Sequence, residues 1–120
     1  MRMWLVDPGV LCRKHLLGEH VELHMLRACI AKGKSIKGYA DKGIVEPLSI
    51  DKRHGELVEE MLKRGYRHNS PISSPDLGVL CSKLPDKVKF TRVNKDDSLN
   101  ELINRCGECK KRYASSKNNY

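Results

Sequence analysis

Between Lys14 and His24 the chain sets three imidazoles (His15, His20, His24) and two carboxylates (Glu19, Glu22) within eleven residues. Side chains of these types at this density serve one of two chemistries: proton transfer on an anionic substrate, or coordination of a metal ion. On a helix advancing about 100° per residue, spacings of four and three return to one face, so His15, Glu19 and Glu22 fall within about 60° of one another. His20 and His24 are also four apart and form a second pair, roughly 120–180° away from His15. One straight helix cannot bring both sets to a single small site.

The metal reading has limits that the spacing makes visible. His20-Val21-Glu22-Leu23-His24 is not the His-Glu-x-x-His of a zinc-binding helix, and a catalytic zinc needs a third ligand, which His54 or Cys12 supplies only through the tertiary fold. The alternative for His20 and His24 is that of partly buried or solvated helix residues. Cys106-Gly107-Glu108-Cys109 has the spacing of half a zinc site, with no second half evident in the sequence, and reads as a reduced pair near a helix end. The expectation is a protein with no metal ligands and no cofactor.

At 120 residues the chain is expected to form one domain, since it can bury a modest core but not two. Lys and Arg outnumber Asp and Glu by 23 to 15, a formal charge of +8, and the basic residues run along the whole length. Such a balance favours a polyanionic partner, nucleic acid first, against the alternative of a merely soluble basic protein. The five cysteines (Cys12, Cys29, Cys81, Cys106, Cys109) are odd in number and irregularly spaced, and no secretory segment precedes them. An intracellular, reducing location is expected. No apolar run approaches the roughly 18 residues of a membrane-spanning helix, so no membrane partner is expected.

Helices must position these groups. Asp7-Pro8 can open a first helix, and Val10, Leu11, Leu16, Leu17, Val21, Leu23, Leu26 and Ile30 recur at helical spacing, predicting a helix from about Pro8 to Ala31. Residues 33–50 read as a loop whose lysines at 34, 37 and 42 offer an edge for phosphates, or a solvated connector. Asp51 can cap a second helix with Leu57, Val58, Met61 and Leu62 on one side, ending at Lys63-Arg64-Gly65. Residues 66–74 read as loop, Ser74-Pro75-Asp76 can open a short helix to Lys83, and Ser98-Leu99-Asn100-Glu101 is a capping box for a third main helix over about 98–113. The tail beyond Ser115 is expected to fray. Strand signals are weak, at Met3–Val6 and Lys87–Val93, and there is no internal repeat. The fold class is all-α: a compact single domain of about three main helices with long loops.

Residues along the first two-thirds of the chain resemble the phage-type pyrimidine-dimer DNA glycosylases with abasic-site lyase activity, small UV-repair enzymes. Met1-Arg2-Met3 is similar to a family N-terminus that bears a catalytic α-amine followed by an arginine. The likeness runs without a gap into His15-Leu16-Leu17-Gly18-Glu19-His20-Val21-Glu22-Leu23, against the family's His-Leu-Met-Ala-Glu-aromatic-Arg-Glu-Leu. It resumes at Gly33-Lys34-Ser35-Ile36-Lys37-Gly38-Tyr39 and at Glu56-Leu57-Val58-Glu59-Glu60-Met61-Leu62-Lys63-Arg64-Gly65-Tyr66. The register from amine to glutamate is its specific part.

The resemblance implies a DNA-repair glycosylase and abasic-site lyase acting on UV-damaged double-stranded DNA, above all cyclobutane pyrimidine dimers, as a monomer. It implies that the α-amine of Met1 is the nucleophile and Glu22 the essential carboxylate, with His15 orienting the carboxylate or contacting a phosphate and Arg2 gripping the lesion or its phosphate. An α-amine suits the task because a useful fraction is neutral at physiological pH, unlike a lysine amine. The duplex would be kinked and a nucleotide extruded, since the anomeric carbon is inaccessible within the stack. Met1 stands where the family has threonine, and Val21 and Met25 stand where its best-known members carry arginines that touch DNA. Arg13, Lys14, Arg27, Lys34 and Lys37 are then the candidate backbone contacts, or ordinary solvated charges. The family's aromatic C-terminal segment is replaced by Cys106-Gly107-Glu108-Cys109-Lys110-Lys111-Arg112-Tyr113. Two rival readings stay open: a metal-dependent nuclease or hydrolase using His20, His24 and Glu19, and a non-catalytic DNA-binding module.

Overall fold

Apolar residues at three- and four-residue spacing build the centre of the molecule. Helix α1 (Arg13–Ala31) turns Leu16, Leu23, Leu26 and Ile30 inward, and helix α3 (Ile50–Lys63) meets them with Ile50, Leu57 and Met61. The computed structural model describes residues 1–68, 71–72 and 76–117. Between the two long helices lie the short α2 (Lys37–Asp41) and a 3-10 turn at Pro47–Ser49. After α3 come α4 (Leu77–Cys81), α5 (Asp86–Lys89), α6 (Lys95–Arg105) and α7 (Gly107–Lys117). The class is all-α, as expected, with more and shorter helices than three. No strand forms among the described residues.

Several boundaries differ from the sequence reading, each for a physical reason. The first helix does not run unbroken from Pro8: a 3-10 turn covers Pro8–Val10, and Leu11 and Cys12 are extended before α1 begins. That break lets Leu11 bury completely and turns Cys12 out of the helical register. The weak strand signal at Met3–Val6 is interrupted by Leu5, whose φ of 53° lies in the left-handed region. The other weak strand signal, at Lys87–Val93, falls partly in α5. Helix α3 follows Ser49 rather than an Asp51 cap, Asp51 lying in its first turn, and Leu62 faces solvent rather than the core. Its end is as read: Gly65 takes φ 82° while Tyr66 N donates to Met61 O and Gly65 N to Leu62 O, closing the last turn. The start of the expected helix at Ser74-Pro75 lies outside the described residues, and Asp76 caps α4 with a hydrogen bond from Gly78 N.

The single helix expected over 98–113 is two. Helix α6 starts earlier, capped by Asn94 Oδ1 accepting from Asp97 N, and Ser98 is not a cap. Its hydroxyl instead donates to Trp4 O at 2.6 Å, pinning the N-terminal segment to α6. Cys106 is extended and separates α6 from α7, which packs on the 3-10 turn at Pro8–Val10. Helix α7 is described as far as Lys117, past the point where fraying was expected.

Candidate active site and two clusters of donor side chains

Glu19 and Glu22 share a face on a helical wheel and border one cleft, but their surroundings differ. Glu19 is buried, its carboxylate taking Nε and Nη2 of Arg53 at 2.7 and 3.0 Å. Arg53 uses Nη1 on Val6 O at 2.7 Å and on Glu56 at 3.2 Å, so this network ties α1, α3 and the N-terminal segment together. Glu22 is half-buried and faces a cleft of about 600 Å³ lined also by Arg2, Trp4, Lys14, His15, Val21 and Arg105. Met1 packs half-buried against the core, next in the chain to the cleft residue Arg2, but is not itself part of the cleft lining.

Trp4 organises that cleft. It is 4% exposed, with the Arg2 guanidinium 4.0 Å from its ring centre, that of Arg105 at 5.6 Å, and His15 edge-on at 5.8 Å. Cation and ring attract through the ring's quadrupole. Glu101 joins the two arginines, accepting from Arg2 Nη2 and, at 2.8 Å, from Arg105. Arg2 Nε is buried with no hydrogen-bond partner among the described residues.

The other expected DNA contacts divide. Lys14 and Lys34 are exposed; Arg13 is exposed with its guanidinium 5.2 Å from the Tyr66 ring centre; Lys37 is exposed and paired with Asp41 at 2.8 Å. Arg27 is a different case: it is buried and bonded to Asp51 at 3.1 Å, which removes it from the surface set. Val21 and Met25, one turn apart beside Glu22, are each about half exposed.

Among the described residues His15 bonds no carboxylate. Its Nδ1 lies 3.2 Å from Cys12 Sγ and 3.6 Å from Cys109 Sγ, and Cys12 Sγ is 3.8 Å from Cys106 Sγ. Cys106-x-x-Cys109 therefore has a second half, Cys12-x-x-His15, contrary to the reading of an isolated pair; the matching two-residue gaps were the signal for it. Burial, with Lys14 and Arg105 nearby, holds the His15 imidazole below its ordinary pKa. Burial also opposes ionisation of Cys106, but hydrogen bonds from the Cys109 and Glu108 amides and from neighbouring thiols outweigh it and hold that thiol below its ordinary value.

His20 and His24, read as a pair apart, gain His54 and His68. The Nε2 of His20 is 3.1 Å from that of His54 and 3.1 Å from that of His68, and the donor nitrogens of all four lie within 4.8 Å of one another. Burial first, then the neighbouring imidazoles, push His20 down to about 4, so its ring is neutral at physiological pH. Glu19 is not part of this cluster, which breaks the His20, His24 and Glu19 set of the hydrolase reading.

An all-α, strongly basic molecule whose cleft joins an arginine-braced tryptophan, a lysine and a half-buried glutamate has the features of a protein acting on a polyanion. The chain belongs to the pyrimidine dimer DNA glycosylase family, whose model matches residues 1–74. That segment contains Met1, Arg2, His15 and Glu22 and ends before α4, so Glu101, Arg105, Cys106 and Cys109 lie beyond it. No match was found among curated proteins or among solved structures.

Proposed function

We propose that the chain excises the damaged base at cyclobutane pyrimidine dimers in double-stranded DNA and cleaves the abasic site by β-elimination, through an imine on the α-amine of Met1. The supporting observation is that Glu22 and Arg2, the residue next to that amine, line one cleft although they come from different segments of the chain. The amine attacks the anomeric carbon and the base leaves with the bonding electron pair and a proton; the sugar ring then opens, its oxygen taking the pair of the C1′–O4′ bond, to leave the imine without loss of water. Glu22 stabilises the cationic sugar and moves the protons; the imine draws in the electron pair freed when a proton leaves the adjacent carbon, and that pair then forms the carbon–carbon double bond as the 3′ phosphate departs with its own bonding pair. Arg2 offers its guanidinium to the lesion or its phosphate, Arg13, Lys14, Lys34 and Lys37 contact the backbone, and His15 acts as a positioning residue beside Trp4. Val21 and Met25 present apolar surface to bases unstacked when the nucleotide is extruded.

Borohydride reduces such an imine to a stable amine, so trapping on three duplexes tests the reading. A covalent adduct is expected with a dimer or an abasic site and none with undamaged DNA. Cleavage without an adduct would favour a hydrolase, and binding without cleavage a non-catalytic module.

A further inference from the structure

We propose that Cys12, His15, Cys106 and Cys109 bind one zinc ion. In a tetrahedral site with bonds of roughly 2.3 Å to sulfur and 2.0–2.1 Å to nitrogen, donors stand about 3.8 Å apart for two sulfurs and about 3.5 Å for sulfur and nitrogen. The observed separations are 3.8 Å for Cys12 Sγ to Cys106 Sγ and 3.2 and 3.6 Å for the two sulfur contacts of His15 Nδ1. A disulfide needs sulfurs at about 2.05 Å, so this is a packing of separate thiols around a point. Backbone amides point at two of the sulfurs: Cys12 N donates to Cys109 Sγ at 3.2 Å and Cys109 N to Cys106 Sγ at 3.5 Å. Backbone amides aimed at the sulfurs are the outer-shell bonds that orient zinc thiolates.

With four protein donors the site is closed, and its part is structural. It joins the start of α1 to the α6–α7 junction, two regions of which Cys12 and Cys106 stand 94 residues apart in the chain. Arg105 precedes Cys106 and stacks over Trp4, so the ion fixes the wall of the cleft that lies outside the family match.

A separate observation assigns a second ion, zinc or a similar divalent transition metal, to His20, His24, His54 and His68. The His20 Nε2 has one proton or one lone pair and cannot make full in-plane hydrogen bonds to both nitrogens that approach it at 3.1 Å. His24 Nε2 is buried beside them with no hydrogen-bond partner among the described residues. A metal ion satisfies all four at once, and neutral imidazole is the form that binds it. This set too has four protein donors, from α1, α3 and the segment after it.

Elemental analysis of the full chain, purified without chelator and equilibrated with zinc before desalting, is expected to give two zinc ions per molecule. Substitution with cobalt is expected to give tetrahedral visible bands together with a thiolate-to-cobalt charge-transfer band in the near ultraviolet. Cys106→Ser should weaken the charge-transfer band and bring the count to one; His24→Asn should bring the count to one and leave that band intact. Should either variant fail to fold, the unsubstituted chain decides: no charge-transfer band overturns the cysteine site, and a single ion with that band overturns the histidine site. A chain carrying no metal overturns both.

Discussion

Glu19 and Arg53 meet across α1 and α3 as a two-pronged ion pair, at 2.7 and 3.0 Å, with side chains 0% and 2% exposed. Removing Glu19 strips the buried Arg53 guanidinium of its two-pronged partner and leaves its Nε and Nη2 without an acceptor, with only Nη1 still bonded to Val6 O and Glu56. Glu19→Ala is therefore expected to destabilise the fold by about 3–5 kcal/mol. Replacing both with apolar residues of similar size, Glu19→Leu with Arg53→Met, should recover much of the loss. Denaturant titration of the three variants measures this; a cost below about 1 kcal/mol for Glu19→Ala would mean that the pair contributes little.

Glu22, three residues on, is expected to behave in the opposite way. Glu22→Gln keeps shape and hydrogen bonding but removes the charge proposed to stabilise the sugar cation, so turnover should fall by at least ~100-fold. DNA affinity and unfolding midpoint should stay close to those of the parent. An unchanged turnover would take Glu22 out of the mechanism.

Binding to DNA should weaken steeply with salt, since each phosphate contact releases counterions, and a slope of roughly four or more contacts is expected. Lys14→Ala and Lys34→Ala should each flatten the slope by about one contact. Arg27→Ala, which breaks a buried bond to Asp51, should instead lower the unfolding midpoint and leave the slope alone. A flat salt response in the parent would assign the +8 charge to some other purpose.

The hydrogen bond from Arg2, outweighing burial and helped by the charges of Arg2 and Arg105, holds the Glu101 carboxyl below its ordinary pKa. A depressed folded-state pKa contributes stability that is full above the unfolded-state value and is lost as pH falls through the folded-state one. The stability difference between the parent and Glu101→Gln should thus hold through neutral pH and shrink in acid below the ordinary carboxylate range. Urea titrations at a series of pH values read it directly, and a difference independent of pH would contradict the pairing.

The parts of the fold written in local signals were legible. Helix α3 was readable because Leu57 and Met61 recur at helical spacing and Gly65 must follow a C-terminal turn. Arg2, Lys14, His15 and Glu22, singled out from sequence, do line one cleft. The rest depended on partners far along the chain. Glu19 and Glu22 look alike until Arg53, 34 residues past Glu19, selects one of them. The break at Cys106 follows no local rule; it brings two thiols to Cys12 and His15. Trp4 and Arg105 were missed as site residues because their stacking crosses about a hundred positions.

The central claim, that the α-amine of Met1 is the reacting group, is tested most directly by peptide mapping of the borohydride-trapped adduct, run beside a chain extended by one residue ahead of Met1. The extension displaces the amine while leaving the helices, the histidines and the basic surface intact, so DNA binding should persist while trapping and cleavage vanish. The adduct of the parent should map to the peptide that begins at Met1. An adduct on a lysine, or full cleavage of dimer-containing DNA by the extended chain, would contradict the assignment.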